Sequence, residues 1–147
     1  MSVIQTINQT RLRVTDKFLK HIFGLESAIV GEIEKLSGLH HDYMSELESR
    51  GLIKLINKTV CPVTGIITAN IELTNGNIKN ATTTLFPSAW TREHVLEKMC
   101  EGLKNIVREI RTKGGNLSII GKTIEGIQIE YRLDKHGKLI SIFPLLR

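Results

Sequence analysis

Histidine is the residue to start from, because its side chain exchanges a proton near neutrality. The chain carries five, at positions 21, 40, 41, 94 and 136, and His40 and His41 are adjacent, directly after Ser37-Gly38-Leu39. A glycine just before them permits close approach of a substrate backbone or phosphate. Neighbouring side chains diverge, so one of the pair faces a site while the other supports or packs it. Ser141 and Phe143 lie two apart on the last apolar segment and so fall on one face of a strand, where a hydroxyl beside a ring can grip a nucleotide or simply belong to an ordinary sheet surface. Thr82, Thr83 and Thr84 allow the same two readings, and Lys79, just upstream, either reaches a phosphate or is solvated. Neither Cys61 nor Cys100 sits in a C-x-x-C pair, and no histidine spacing supports a metal site, so two partly buried thiols in a reducing compartment are expected.

These groups need elements to hold them. Leu12, Val14, Phe18, Leu19 and Ile22 recur at helical spacing over Arg11 to Phe23, and a second helix is predicted from Glu26 to Leu36, stopped by Ser37-Gly38. Leu52 to Ile56 and Ile66 to Leu73 read as strands. Thr74-Asn75-Gly76-Asn77 then signals a hairpin turn into a partner strand over Ile78 to Phe86. Thr91 can cap a long helix whose apolar face is Val95, Leu96, Met99, Leu103, Ile106, Val107 and Ile110, stopped by Gly114-Gly115. Strands follow at Leu117 to Gly121, Ile127 to Leu133 and Lys138 to Phe143. The fold class is therefore α+β: N-terminal helices followed by antiparallel sheets separated by one long helix.

With 147 residues and 41% hydrophobic content, the chain is sized for one globular domain. It contains no run of eighteen apolar residues, hence no membrane anchor of the helical kind, and no conventional signal peptide at its start. The 20 Lys and Arg against 15 Asp and Glu give a formal charge of +5, which suits a phosphate polymer, an acidic protein partner or ordinary solubility.

The order of features resembles the bacterial EndoU nuclease family, uridylate-type endoribonuclease domains often found at the C-terminal end of contact-dependent and other polymorphic toxins. The resemblance rests on Lys20-His21-Ile22-Phe23, Ser37-Gly38-Leu39-His40-His41, Thr64-Gly65-Ile66 and the block Thr83-Thr84-Leu85-Phe86-Pro87-Ser88-Ala89-Trp90-Thr91. It continues through Gly121-Lys122-Thr123, Gly126-Ile127-Gln128-Ile129 and the closing Gly137-Lys138-Leu139-Ile140-Ser141-Ile142-Phe143-Pro144. It implies an EndoU-like ribonuclease fold, with residues 20–147 forming the nuclease domain and 1–19 an N-terminal helical extension.

By this resemblance the reaction centre is His21, His40 and Lys79, with Ser141 in the place of the family's C-terminal threonine or serine and Phe143 where some members carry a tyrosine. Thr83 and His41 complete the substrate-binding candidates, and no metal ligands are assigned. The implied reaction is metal-independent transesterification of RNA, tRNA among the candidates, by the 2′-hydroxyl, leaving a 2′,3′-cyclic phosphate and a 5′-hydroxyl. No cofactor is required, although some relatives respond to manganese. RNA is the expected partner together with an acidic cognate immunity protein, and the expected place of action is the cytoplasm of a target cell. The alternative is a catalytically impaired module of the same fold that binds RNA or protein.

Overall fold

The structure is a computed structural model that describes residues 16–30, 33–73, 76, 78, 79 and 82–146. Helix α1 spans Asp16–Phe23 and is followed by strands β1 (Leu25–Val30) and β2 (Ile33–Gly38). A short 3-10 turn at Tyr43–Ser45 leads into a single helical turn, α2 (Glu46–Ser49). Next come β3 (Ile53–Val60), β4 (Ile67–Leu73) and β5 (Thr83–Leu85), then helix α3 (Arg92–Leu103). The chain closes with β6 (Ile106–Arg111), β7 (Leu117–Lys122), β8 (Gln128–Leu133) and β9 (Leu139–Pro144). All pairings are antiparallel and form three sheets, β1-β2, β3-β4-β5 and β6-β7-β8-β9. The α+β class, with helix at the N-terminal side and antiparallel sheets beyond, is as the sequence predicts. Among the described residues no helix is long and apolar enough to cross a membrane.

Three local expectations are corrected. The segment predicted as a helix from Glu26 to Leu36 is the β1-β2 hairpin, in which Leu25 pairs with Gly38 and Val30 with Ile33. The β-branched Ile29, Val30 and Ile33 crowd next to its connection and prefer extended backbone. The long helix ends at Leu103, and Ile106, Val107 and Ile110, read as its continuing apolar face, belong to β6. Val95, Met99 and Leu103 are buried, whereas Val107 and Ile110 are exposed on that strand. The expected single strand over Ile78 to Phe86 is a lone bridge from Ile78 to Glu72 plus β5, which pairs with the opposite end of β4. The predicted turn residues Thr74, Asn75 and Asn77, and the helix start before Asp16, lie outside the described residues. Both cysteines are free thiols, Cys61 half-buried and Cys100 exposed rather than partly covered.

Two apolar cores result. The larger joins Val95, Met99 and Leu103 of α3 to Ile119, Ile129, Tyr131 and Ile142 of the four-stranded sheet, and takes in Ile22 and Phe86. The smaller gathers Leu39, Ile53, Ile67, Ala69, Ile71 and Leu85. Leu85 and the next residue, Phe86, enter different cores, so the chain between β5 and α3 runs along the seam between them.

Helix α3 lies on its sheet at backbone distance. A Cβ on Gly121 would overlap the backbone of Gly102, and the Tyr131 hydroxyl donates a hydrogen bond to the Met99 carbonyl just beyond. Gly121→Ala should therefore cost about 1–3 kcal/mol, towards the upper end because the obstructing atoms are backbone. Gly114→Ala, where nothing lies within 4 Å, should stay within about 0.5 kcal/mol of the parent. Urea denaturation midpoints of the two variants check the contrast.

Candidate active site

The site is assembled where α1 ends. The last carbonyls of a helix lack partners inside it and must find them elsewhere. Here the Leu39 N–H donates to the His21 carbonyl at 2.8 Å and the His40 N–H to the Ile22 carbonyl at 2.6 Å. The chain reaches these positions by turning through two consecutive left-handed residues, Gly38 at φ 86° and Leu39 at φ 58°. Gly38 is required twice over: a Cβ would overlap the His21 carbonyl oxygen, and the positive φ disfavours any other residue. Leu39 has no such freedom and is held in its uncommon conformation by complete burial in the smaller core. The Phe86 N–H then donates to the His40 carbonyl at 2.7 Å, fixing the other flank.

This seam brings two imidazoles together, with ring centroids of His21 and His40 5.8 Å apart. Ser141 on β9 stands between them, its Oγ 3.0 Å from His21 Nε2 and 3.5 Å from His40 Nε2. His40 Nδ1 lies 3.0 Å from the Thr84 carbonyl oxygen. A carbonyl only accepts, so Nδ1 carries the proton and Nε2 of the neutral ring is left as a bare acceptor. The arrangement that satisfies every contact has His21 Nε2–H donating to Ser141 Oγ and the serine hydroxyl donating to His40 Nε2. The tautomers follow from the hydrogen-bond pattern.

His40 is 7% exposed, and its pKa is pushed down from 6.5 to about 3. Burial is the main cause, opposed by the bond to the Thr84 carbonyl and reinforced by the positive charges of Lys79, His21 and Arg132. Lys79, 8% exposed, donates from Nζ to the Gly38 carbonyl at 2.8 Å. Burial lowers its pKa to about 8, so it keeps its charge at neutral pH while being nearer to releasing a proton than an ordinary lysine. Phe143 stacks on the His40 ring at 5.4 Å, and the Arg132 guanidinium lies 4.9 Å from the centre of the Phe143 ring.

Of the residues singled out in the sequence, the structure thus gathers His21, His40, Ser141 and Phe143 through direct contacts, with Lys79 behind the Gly38 peptide. His41 is placed elsewhere. Its ring is 1% exposed, 5.4 Å from the Phe23 ring and 6.3 Å from that of Tyr43, and its polar neighbours are the backbone groups of Trp90 and Pro87. Burial lowers its pKa as well. Thr83 is also buried, with its hydroxyl unpartnered, and it is the carbonyl of the next residue that contacts the site. Among the described residues no three His, Cys, Asp or Glu side chains gather as metal ligands. Sequence reading gave Gly38 a role in close approach of substrate and Thr84 an ambiguous hydroxyl, whereas Gly38 lies against the His21 carbonyl and Thr84 acts through its carbonyl; Arg132 was not assigned to the site. Arg132 carried a signal, as the basic residue between the apolar Tyr131 and Leu133 of an alternating strand, whereas the Thr84 carbonyl carried none.

Paired imidazoles joined through a hydroxyl, with a buried ammonium close by and a ring on one side, have the chemical means to pass protons and to attract an anion. The family profile of the bacterial EndoU nucleases matches residues 20–146, and the chain belongs to that family. It is also similar to a Bacillus cereus protein named "Toxin", with 32% identity over 144 residues. The match covers 92% of this chain but only 24% of that relative, so the chain spans about a quarter of its length. No solved structure matches.

The buried neutral His40 links stability to pH. Its pKa is about 3 when folded and near 6.5 when unfolded, so below 6.5 the unfolded chain binds the extra proton. Its contribution is fully present above pH 6.5 and is lost as pH falls towards 3, at up to about 1.4 kcal/mol per pH unit. His40→Gln should flatten the stability–pH curve across that window, as read by denaturant unfolding at successive pH values. A curve as steep as the parent's would show that His40 is not held neutral.

Proposed function

We propose that this protein is an EndoU-type endoribonuclease with the fold of that family, cleaving RNA by attack of a ribose 2′-hydroxyl on the adjacent phosphorus. The observation that carries the reading is the His21–Ser141–His40 arrangement, in which one Nε2 is a bare acceptor and the other bears a proton. His40 takes the 2′-hydroxyl proton as general base through its unprotonated Nε2, and the negative charge of a bound phosphate raises its low resting pKa towards the working range. The oxygen bonds to phosphorus, the bond to the 5′-oxygen of the next nucleotide breaks, and His21 protonates that leaving oxygen. The products are a 2′,3′-cyclic phosphate and a 5′-hydroxyl. Lys79 supplies positive charge beside the site as negative charge builds on the phosphoryl oxygens. Ser141 and Phe143 bind the nucleotide by hydrogen bond and stacking. DNA lacks the nucleophile and is not cleaved. No step in this scheme calls for a metal.

The relative named "Toxin" supports a toxin role; the proposal extends this to RNA, tRNA included, as target in a recipient cytoplasm. The formal charge of +5 fits both an RNA backbone and an acidic inhibitor protein.

His40→Ala and His21→Ala should each lower cleavage of a uridine-containing single-stranded RNA by about 10²–10⁴-fold. Retained RNA binding in these variants would separate lost chemistry from lost folding. Wild-type cleavage by His40→Ala would sink its role as base, and binding without cleavage by the parent would leave a binding module instead. Chromatography of the first products checks for the cyclic phosphate. The ratio kcat/KM reports the free enzyme, so its acid limb should lie well below pH 6.5, towards the value of about 3 set by His40.

A further inference from the structure

Resting on the nuclease reading, we propose that the face of the four-stranded sheet carrying Ser141 and Phe143 is the path of the RNA beyond the scissile phosphate, and that Arg132 binds the next phosphate along it. The register supplies the geometry. Arg132 on β8 lies directly opposite Ser141 on β9, and Glu130 opposite Phe143. Residues directly opposite in an antiparallel pair share a sheet face. Arg132 is therefore one strand from the histidine site, about 4.8 Å away in the pairing direction. The face continues inwards: Ile120 pairs with both Glu130 and Arg108, and Lys122 with Gln128. Arg132, Arg108 and Lys122 are exposed. Three cations thus run away from the site on the same face, against the carboxylate of Glu130.

The state of Arg132 fits a phosphate ligand. Its Nε donates to Glu130 Oε2 at 2.6 Å, a bond that fixes the guanidinium over Phe143 while the side chain stays 58% exposed. A guanidinium has five N–H donors in a planar fork, so one used at Nε leaves the terminal nitrogens for a phosphate. A nucleotide held at Ser141 would place its flanking phosphate beside that fork. Arg132 would then recognise length, through a contact that a dinucleotide with its single internal phosphate cannot make.

The test uses the full chain and measures binding as well as cleavage. The probe is a single-stranded oligodeoxynucleotide of about eight residues, which resists this chemistry, set against a dinucleotide. Arg132→Gln should weaken the longer probe about fivefold to tenfold. It should also reduce the slope of log affinity against log salt by about 0.7. Arg132→Lys should keep the slope but not the full affinity, because the charge remains and the fork is lost. Arg108→Gln and Lys122→Gln should each give smaller losses on the longer probe. In RNA cleavage, Arg132→Gln should reduce the preference in kcat/KM for the longer RNA over the dinucleotide. An unchanged salt slope, or equal losses on both lengths, would overturn the proposal. A parent that binds the long probe with these dependences but never cleaves RNA would refute the nuclease reading and leave the track standing.

Discussion

The two hydrogen bonds from the Leu39 and His40 amides to the His21 and Ile22 carbonyls hold the rest together. They satisfy the open end of α1, and by the same act set one histidine against the other, 120 and 101 residues of chain from their shared partner, Ser141. The spacing of the two rings is therefore a backbone property. It depends on a close approach that only Gly38 allows, and Lys79 secures the same peptide from its other side through the Gly38 carbonyl.

Burial at this seam has an electrostatic consequence. His40, His21, Lys79 and Arg132 bring basic groups into one region, and each disfavours a proton on the deeply buried His40. The resting site thus keeps an unprotonated base next to a charged lysine. An entering phosphate would bring negative charge beside these groups, and would favour uptake of a proton by His40 when that proton is available from substrate. The same features that make the empty site costly at acidic pH make it receptive to an anion.

Much of this was legible in the sequence because it resides in local pattern. The alternation of Ile129, Tyr131 and Leu133 with charged residues and the glycine-bounded turns marked the final sheet. The Ser141–Phe143 interval placed two site residues on one face. The failures share a different cause. Ile106, Val107 and Ile110 fit a helical period as well as a strand, and the choice was made by tertiary packing of Gly102 and Gly121, which no window of sequence contains. The β1-β2 hairpin was likewise ambiguous between periods. At the site, the residue pattern did not separate His40 from His41; the resemblance chose His40, and the seam between the two cores is what brings its ring to Ser141 while His41 packs between Phe23 and Tyr43.

Phe143 shows how the remaining chemistry is divided. Its ring has the His40 imidazole on one contact and the Arg132 guanidinium on another, so its position is defined without any hydroxyl. A phenolic oxygen there would add a hydrogen-bonding group to a site that already has one at the centre, the Ser141 hydroxyl, shared by both histidines. With serine linking the imidazoles and phenylalanine offering only a face, hydrogen bonding and stacking are carried by two residues of one strand instead of being combined in one side chain. The short step between them places the Ser141 hydroxyl and the Phe143 ring on one face of β9, both against His40.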